Sequence, residues 1–126
     1  MFAECSNLKK ADLSSWNIDG VTDISYMFRN CTNLSELNLK NWSTSNVKDM
    51  KYMFAGCSNL EEIDLSSWNV EEATDMSYMF TDCTNLRELD LRNWDTRNVK
   101  DMSHAFSHNG LLTRIFVTNS FSTKKL

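Results

Sequence analysis

The feature that most constrains this chain is a repeat of 26 residues. Cysteine, tryptophan and phenylalanine each recur at that spacing, so the same three residue types mark successive copies. The positions are Cys5, Cys31, Cys57 and Cys83; Trp16, Trp42, Trp68 and Trp94; and Phe2, Phe28, Phe54, Phe80 and Phe106. A unit of this length cannot bury an apolar side by itself, so the units must stack on one another. The sequence therefore predicts one array of stacked units.

The array divides into four units and a degraded fifth. Units 1 to 4 span residues 5–30, 31–56, 57–82 and 83–108, and unit 5, residues 109–126, has the altered residues expected of a C-terminal cap. Units 1 and 3 agree at 16 of 26 positions, as do units 2 and 4, which indicates that a pair was duplicated. We interpret residues 1–126 as a single repeat domain. Because the first helical stripe is incomplete, we expect the domain to be part of a longer chain.

The apolar spacing changes once within each unit. In residues 75–94, Met76, Met79, Phe80 and Cys83 have helical i, i+3, i+4, i+7 spacing, and the Leu-x-Leu that follows alternates as a strand does. An aspartate precedes each helical stripe, where its carboxylate would cap the helix; these are Asp23, Asp49, Asp75 and Asp101. The pattern predicts an α/β solenoid, in which every unit contributes one short parallel β-strand and one short helix.

Charge and motif content exclude several classes of function. The chain has 17 acidic and 13 basic residues, and its net charge of -4 argues against a nucleic-acid or anionic-membrane partner. No apolar run reaches the roughly 18 residues that span a bilayer, so we expect no membrane insertion. The chain has no phosphate loop and no G-x-S-x-G motif. We therefore predict a protein that is not an enzyme and has no cofactor.

The repeated columns have structural interpretations. We expect the cysteines to form a buried ladder of free thiols, with a disulfide in an oxidising compartment as the alternative; their spacing does not suit zinc, and we predict no metal site. We expect the tryptophans to fill corners of the core, although an aromatic platform for carbohydrate is an alternative. We interpret His104 and His108 as surface residues. We expect an internal amide ladder from the asparagine column, which consists of Asn7, Asn33, Asn59 and Asn85.

The outward positions of the predicted strands are the most informative surface. Stacking in register would gather carboxylates in the middle units and leave basic residues at the two ends. The candidate partner-binding residues on this surface are Glu36, Glu62, Asp64, Glu88 and Asp90. They suggest docking of a protein with a basic patch, whereas a solvated, salt-linked face and calcium bridging are the alternatives. Tyr52 and Tyr78, on the predicted helices, are a second candidate surface.

One family resemblance rests on the repeated motif. The string L-x-x-L-x-L-x-x-W, as in Leu34, Leu37, Leu39 and Trp42, followed by "NVKDMKYMFAGC", resembles the 26-residue leucine-rich-repeat subclass of BspA-like surface proteins. This resemblance implies a leucine-rich-repeat-like, right-handed stack of about five coils. It also implies an adhesion or protein-interaction module of a cell-surface or secreted protein. A structural spacer is the alternative function, and a carbohydrate-binding solenoid is a distant one. The open first coil would also permit end-to-end self-association.

Overall fold

The regular structure of this chain consists of four strands of three residues each. A computed structural model describes all 126 residues. The strands are β1 (Lys10–Asp12), β2 (Glu36–Asn38), β3 (Glu88–Asp90) and β4 (Arg114–Phe116). Strand β1 pairs in parallel with β2, and β3 pairs in parallel with β4, each with a register offset of one unit. The result is two separate two-stranded sheets in a domain that is mostly irregular chain.

The predicted α/β solenoid is wrong. No helix forms anywhere in the chain, and only four of the five units contribute a strand. Unit 3 has no strand at residues 62–64, the positions equivalent to β2 and β3, although the alternation there matches that of its neighbours. The sequence pattern therefore identified the repeat but assigned the wrong local structure to half of each unit.

Left-handed backbone conformations explain why the helical stripe is not a helix. The three tyrosines of the stripe, Tyr26, Tyr52 and Tyr78, have φ angles of 60°, 56° and 57°. A second left-handed residue follows four positions later in each unit, for example Asn30 with φ 57° and Gly56 with φ 75°. Two such residues within five positions interrupt an α-helix, because its right-handed geometry requires negative φ throughout.

Overlapping turns replace the predicted helix, and their free N–H groups bond to the next unit. In the first complete set of turns, the Arg29 N–H donates to the Tyr26 carbonyl and the Cys31 N–H donates to the Phe28 carbonyl, both at 3.1 Å. Alternate N–H groups donate to the following unit instead: Ile24 to Asp49, Tyr26 to Lys51, Phe28 to Met53 and Asn30 to Ala55, at 2.7 to 3.0 Å. The same four bonds recur between units 2 and 3 and between units 3 and 4. We call these inter-unit bonds the turn ladder.

The aspartate before each stripe has a different role from the predicted helix cap. The Asp23 carboxylate accepts a hydrogen bond from the Ser25 N–H at 2.9 Å, and Asp75 accepts one from the Ser77 N–H at 2.9 Å. A side chain that bonds the backbone two residues ahead forms an Asx turn. The aspartates also form isolated parallel bridges from unit to unit, in the order Asp23, Asp49, Asp75 and Asp101. Each aspartate therefore begins a turn of the ladder.

The core is a column of aromatic rings between the strand side and the turn ladder. Phe28, Phe54 and Phe80 are fully buried, and their rings stack at 5.8 and 5.3 Å between centroids. A second stack contains the buried indoles of Trp42 and Trp68 at 6.3 Å, and it continues to Trp94. Burial of such large apolar rings is the main source of stability in a fold with so few regular elements.

The glycine of unit 2 gives a first testable prediction. Gly56 has φ 75°, and a Cβ placed there would lie 2.1 Å from the Asn30 Oδ1 and 3.3 Å from the Asn30 Cα. We expect Gly56→Ala to lower the free energy of unfolding by about 1–3 kcal/mol, as measured by urea denaturation. Gly20→Ala is the matched control, since Gly20 has φ 79° but no atom within 4 Å of its added Cβ. Equal losses for both variants would contradict the steric part of this prediction.

Candidate protein-binding groove

A groove of about 770 Å³ runs along the strand side of units 1 to 4. It brings together all five of the predicted partner-binding carboxylates on this side, and only four of its 14 lining residues are hydrophobic. The charged lining residues are Lys10, Asp12, Glu36, Lys40, Glu62, Asp64, Glu88 and Asp90. Six carboxylates thus face two lysines. We call this the acidic groove.

Short-range hydrogen bonds keep the groove aspartates ionised. The Ser66 hydroxyl and N–H hold the pKa of Asp64 below its ordinary value, and the Ser66 N–H lies 3.0 Å from the Asp64 Oδ1. The pKa of Asp90 is lowered chiefly by its hydrogen bonds with the Arg92 side chain, whose Nη2 lies 2.7 Å from the Asp90 Oδ2. The groove therefore stays negatively charged at neutral pH, with Arg92 screening only one of its carboxylates.

We call the place where two neighbouring units meet on the strand side a junction. The two junctions that form paired strands, between units 1 and 2 and between units 4 and 5, carry opposite charges. Lys10 of β1 lies opposite Glu36 of β2, with 3.4 Å between the Lys10 Nζ and the Glu36 Oε1. Glu88 of β3 lies opposite Arg114 of β4. Opposite charges on neighbouring strands favour pairing, although such exposed ion pairs contribute little each.

The two junctions without paired strands, between units 2 and 3 and between units 3 and 4, would carry like charges. In register, Glu62 would lie between Glu36 and Glu88, and Asp64 would lie beside Asp90. Like charges directly opposite each other destabilise strand pairing. Like charges therefore coincide with the two junctions that stay unpaired, and opposite charges coincide with the two that pair.

The interruption leaves main-chain groups without main-chain partners. In the paired junctions, the N–H of Leu13 donates to the carbonyl of the next unit at 3.0 Å, and that of Leu91 does so at 2.8 Å. The equivalent N–H groups of Leu39 and Leu65 donate to no backbone carbonyl, and residues 62–64 make no backbone–backbone hydrogen bond. The floor of the acidic groove is therefore an unpaired segment of chain.

The tryptophan side chains report the same interruption. The Trp42 Nε1 donates to the Leu13 carbonyl of the preceding unit at 2.8 Å. Trp68 and Trp94 are equally buried, yet their Nε1 atoms have no acceptor. The carbonyls equivalent to that of Leu13 are those of Leu39, for Trp68, and Leu65, for Trp94. Both lie at the unpaired junctions. Buried N–H groups without partners are uncommon because they cost free energy, so the middle of the strand side is under-bonded.

The candidate tyrosines lie away from the acidic groove. Tyr52 and Tyr78 are half-buried on the turn-ladder side, where their rings stack at 4.6 Å between centroids. The stack extends to Tyr26 at 5.0 Å and to His104 at 4.8 Å. Because each inner ring is covered on both faces by its neighbours, the tyrosines present mainly their edges to solvent.

The cysteines are free, and three of them are buried hydrogen-bond donors. The Sγ atoms of Cys31, Cys57 and Cys83 lie 3.0 to 3.1 Å from the main-chain carbonyl oxygens of Phe2, Phe28 and Phe54, respectively. Cys5, in contrast, is only half-buried. Burial raises the pKa of Cys83 to about 12. In unit 5, Asn109 occupies the cysteine position, and its side-chain amide donates to the Phe80 carbonyl at 2.9 Å.

The remaining predicted columns lie partly at the surface. Trp16 is 38% exposed, whereas the three later tryptophans are 1–2% exposed. The asparagine column is not internal: Asn7, Asn33 and Asn59 are exposed and Asn85 is half-buried. Two of its amides still donate to the preceding unit, Asn33 to the Ser6 carbonyl at 2.6 Å and Asn59 to the Asn33 carbonyl at 3.5 Å.

The two histidines of the last stripe make separate contacts. His108 lies beside Asp82, with 3.1 Å between Nδ1 and Oδ1, and His104 stacks on Tyr78. No group of three histidine, cysteine or acidic side chains is arranged to hold a metal ion. The structure also contains no helix with the length and apolarity that crossing a bilayer requires.

Comparison with known proteins places the chain in a family. Residues 1–116 match the DUF285 family, which is described as a Mycoplasma protein of unknown function. The match covers most of the chain, so the protein belongs to the DUF285 family. Comparisons with curated proteins and with solved structures gave no match.

Two features of the groove were missed by the sequence reasoning. Lys10, Asp12 and Lys40 were not among the candidate residues, although they line the groove. The missing strand of unit 3 was not foreseen either. The signal for it was available, since aligning the units places glutamates in three consecutive copies at one outward position. Weighing that repulsion against the Leu-x-Leu pattern would have located the interruption.

Proposed function

We propose that this chain is a non-catalytic protein-interaction module that binds a basic segment of another protein in the acidic groove. The observation that carries the proposal is the gathering of six carboxylates around an unpaired stretch of main chain, with only two lysines among the lining residues. Complementary charge steers encounter and selects partners, and a basic segment would relieve the repulsion between these carboxylates.

We further propose that the module belongs to a cell-surface or secreted protein and serves adhesion. Membership of a repeat-type family and the resemblance of "DMKYMFAGCSNL" and its copies to BspA-like repeats support this proposal. Such an array presents many exposed side chains on a scaffold of repeated core positions, which suits recognition of an extended partner.

A binding experiment with a synthetic oligolysine peptide tests the acidic groove. We expect the double variant Glu62→Lys and Asp64→Lys to remain folded, because both side chains are exposed and neither forms a salt bridge, and to bind the peptide at least roughly tenfold more weakly. Binding by the unaltered protein should also weaken as salt rises from about 0.1 to 1 M, where the Debye length falls from about 10 to 3 Å. Calorimetry at several salt concentrations measures both effects.

A matched control separates the groove from general attraction. Glu71→Lys with Glu72→Lys makes the same change in net charge at exposed positions outside the groove, and it should reduce binding much less. Equal losses in both double variants would contradict a specific groove. If Tyr52→Ala and Tyr78→Ala abolish binding while the groove variant binds normally, the turn-ladder side is the binding surface.

A structural spacer is the second candidate function. The regular turn ladder favours it, because the same four main-chain bonds join units 1 to 4 and would extend an array of any length. A spacer has no use for a concentration of carboxylates on one side, which is why we prefer the interaction module. The carbohydrate-binding alternative has less support, since Trp42, Trp68 and Trp94 are buried and have no ring face free for a sugar.

A further inference from the structure

We propose that residues 62–64 form a conditional strand: the carboxylates of the acidic groove hold it apart from its neighbours, and a basic partner lying across units 2 to 4 closes it into the sheet. The two outer sheets would then merge into one parallel sheet of five strands. The role of the partner rests on the proposed function, whereas the closure itself depends only on the charges of this chain.

Local sequence preference does not explain the open segment. Ile63 occupies the inward position that Leu37 and Leu89 occupy in the adjacent units. Isoleucine is β-branched and favours strands more than leucine does, so unit 3 should pair at least as readily as units 2 and 4. Unit 4 carries the same two carboxylates, Glu88 and Asp90, but β3 pairs with a strand that presents Arg114. Unit 3 differs because both of its neighbours present a glutamate opposite Glu62. Charge is therefore the feature that keeps this segment apart.

The unsatisfied groups lie where closure would satisfy them. By the repeat, the Leu39 N–H matches the Leu13 N–H and would donate to the Asp64 carbonyl on closure. In the same way, the Leu65 N–H matches that of Leu91 and would donate to the Asp90 carbonyl. The indoles of Trp68 and Trp94 lack acceptors at these two junctions and at no other. Closure would thus provide partners for backbone and side-chain donors together.

The opposite side of the stack makes closure a local movement. The turn ladder is complete between units 2 and 3 and between units 3 and 4. The Tyr52 main-chain N–H donates to the Ser77 carbonyl at 3.0 Å, and the Tyr78 main-chain N–H donates to the Ser103 carbonyl at 2.9 Å. Units 2 to 4 are therefore already in register. Only the strand side of unit 3 has to approach its neighbours, to the spacing of about 4.8 Å that paired strands adopt.

The column of glutamates also indicates how the partner lies. Glu36, Glu62 and Glu88 follow one another across the strands, so the negative charge runs along the stacking direction. A partner that neutralises all three must cross the strands with its basic side chains repeated along that direction. A peptide added as a further strand at the edge of the stack could not reach the column.

Hydrogen exchange measured by NMR tests closure without any partner. In Glu62→Gln with Asp64→Asn, and separately in Glu62→Lys, we expect the Leu39 and Leu65 amides to exchange more slowly, by up to roughly fivefold for each like-charge pair that is relieved. The Leu13 and Leu91 amides are internal controls, because they are already bonded. Glu72→Gln, outside the groove, should change none of the four rates.

The outcomes separate closure from partner binding. Unchanged exchange at Leu39 and Leu65 in both charge variants would overturn the proposal, as would wild-type protection equal to that of Leu13 and Leu91. Adding oligolysine to the wild type should slow the same two amides. If the variants close but oligolysine does not bind, closure stands and the proposed function fails. If oligolysine binds in the groove without slowing these amides, the coupling of binding to closure is wrong.

Discussion

Replacing Phe54 by alanine should lower the free energy of unfolding by about 3–5 kcal/mol. The ring is fully buried and stacks on Phe28 at 5.8 Å and on Phe80 at 5.3 Å, so its removal weakens the contacts of unit 2 with both neighbours. In a stack of repeats, stability depends on such nearest-neighbour contacts. The loss is comparable to the whole stability of many small domains, and urea denaturation followed by tryptophan fluorescence measures it.

The end of the same column provides the control. Phe2 is half-buried and stacks on a single phenylalanine, Phe28, at 5.5 Å. We expect Phe2→Ala to cost clearly less than Phe54→Ala. Similar losses of unfolding free energy for the two variants would contradict the dependence of stability on contacts between neighbouring units.

The buried thiols should be almost inert while the protein is folded. The reactive form of cysteine is the thiolate, and burial raises the pKa of Cys83 to about 12 and raises that of Cys31 as well. At about pH 8, this shift alone should slow alkylation of Cys83 on the order of 10³-fold relative to a free cysteine. Labelling with iodoacetamide, followed by mass spectrometry of peptides, measures each site.

Cys5 and the pH dependence provide the checks. Cys5 is only half-buried, so it should be labelled before the other three, and unfolding in urea should equalise all four. Because the pKa of Cys83 is higher in the folded state, its contribution to stability is present below about pH 9 and is lost as the pH rises towards about 12. Rapid labelling of Cys31, Cys57 and Cys83 in the native protein would contradict their burial.

The helix was the part of the fold that sequence could not provide. Spacing of i, i+3, i+4 and i+7 at Met76, Met79, Phe80 and Cys83 indicates only which side chains point inward. A run of overlapping turns with left-handed tyrosines returns the same residues to the core. Tyrosine has no particular preference for positive φ, so nothing local distinguishes Tyr78 from a helical residue. The cause lies in the neighbouring unit, whose carbonyl accepts the Tyr78 N–H.

The groove was more accessible to prediction than the strands that form it. A fixed repeat brings equivalent residues side by side, so the convergence of Glu62, Asp64 and Glu88 follows from counting. The alternation around Ile63 predicts a strand, but pairing also depends on what the adjacent strand presents. That information is present in the sequence only when the units are aligned and their charges compared, and the apolar pattern alone conceals it.

The turn ladder has a consequence for how a chain of this kind can change over generations. Its bonds join main-chain N–H and C=O groups, so this attachment between units does not depend on the identity of the outward side chains. Duplication or loss of a pair of units would change the length of the array in steps of 52 residues, the period at which the units are most alike. Each new neighbour would meet the same main-chain donors and acceptors, while its exposed residues could diverge without loss of that attachment. The number of units and the identity of the exposed side chains could thus change separately while the turn ladder is kept.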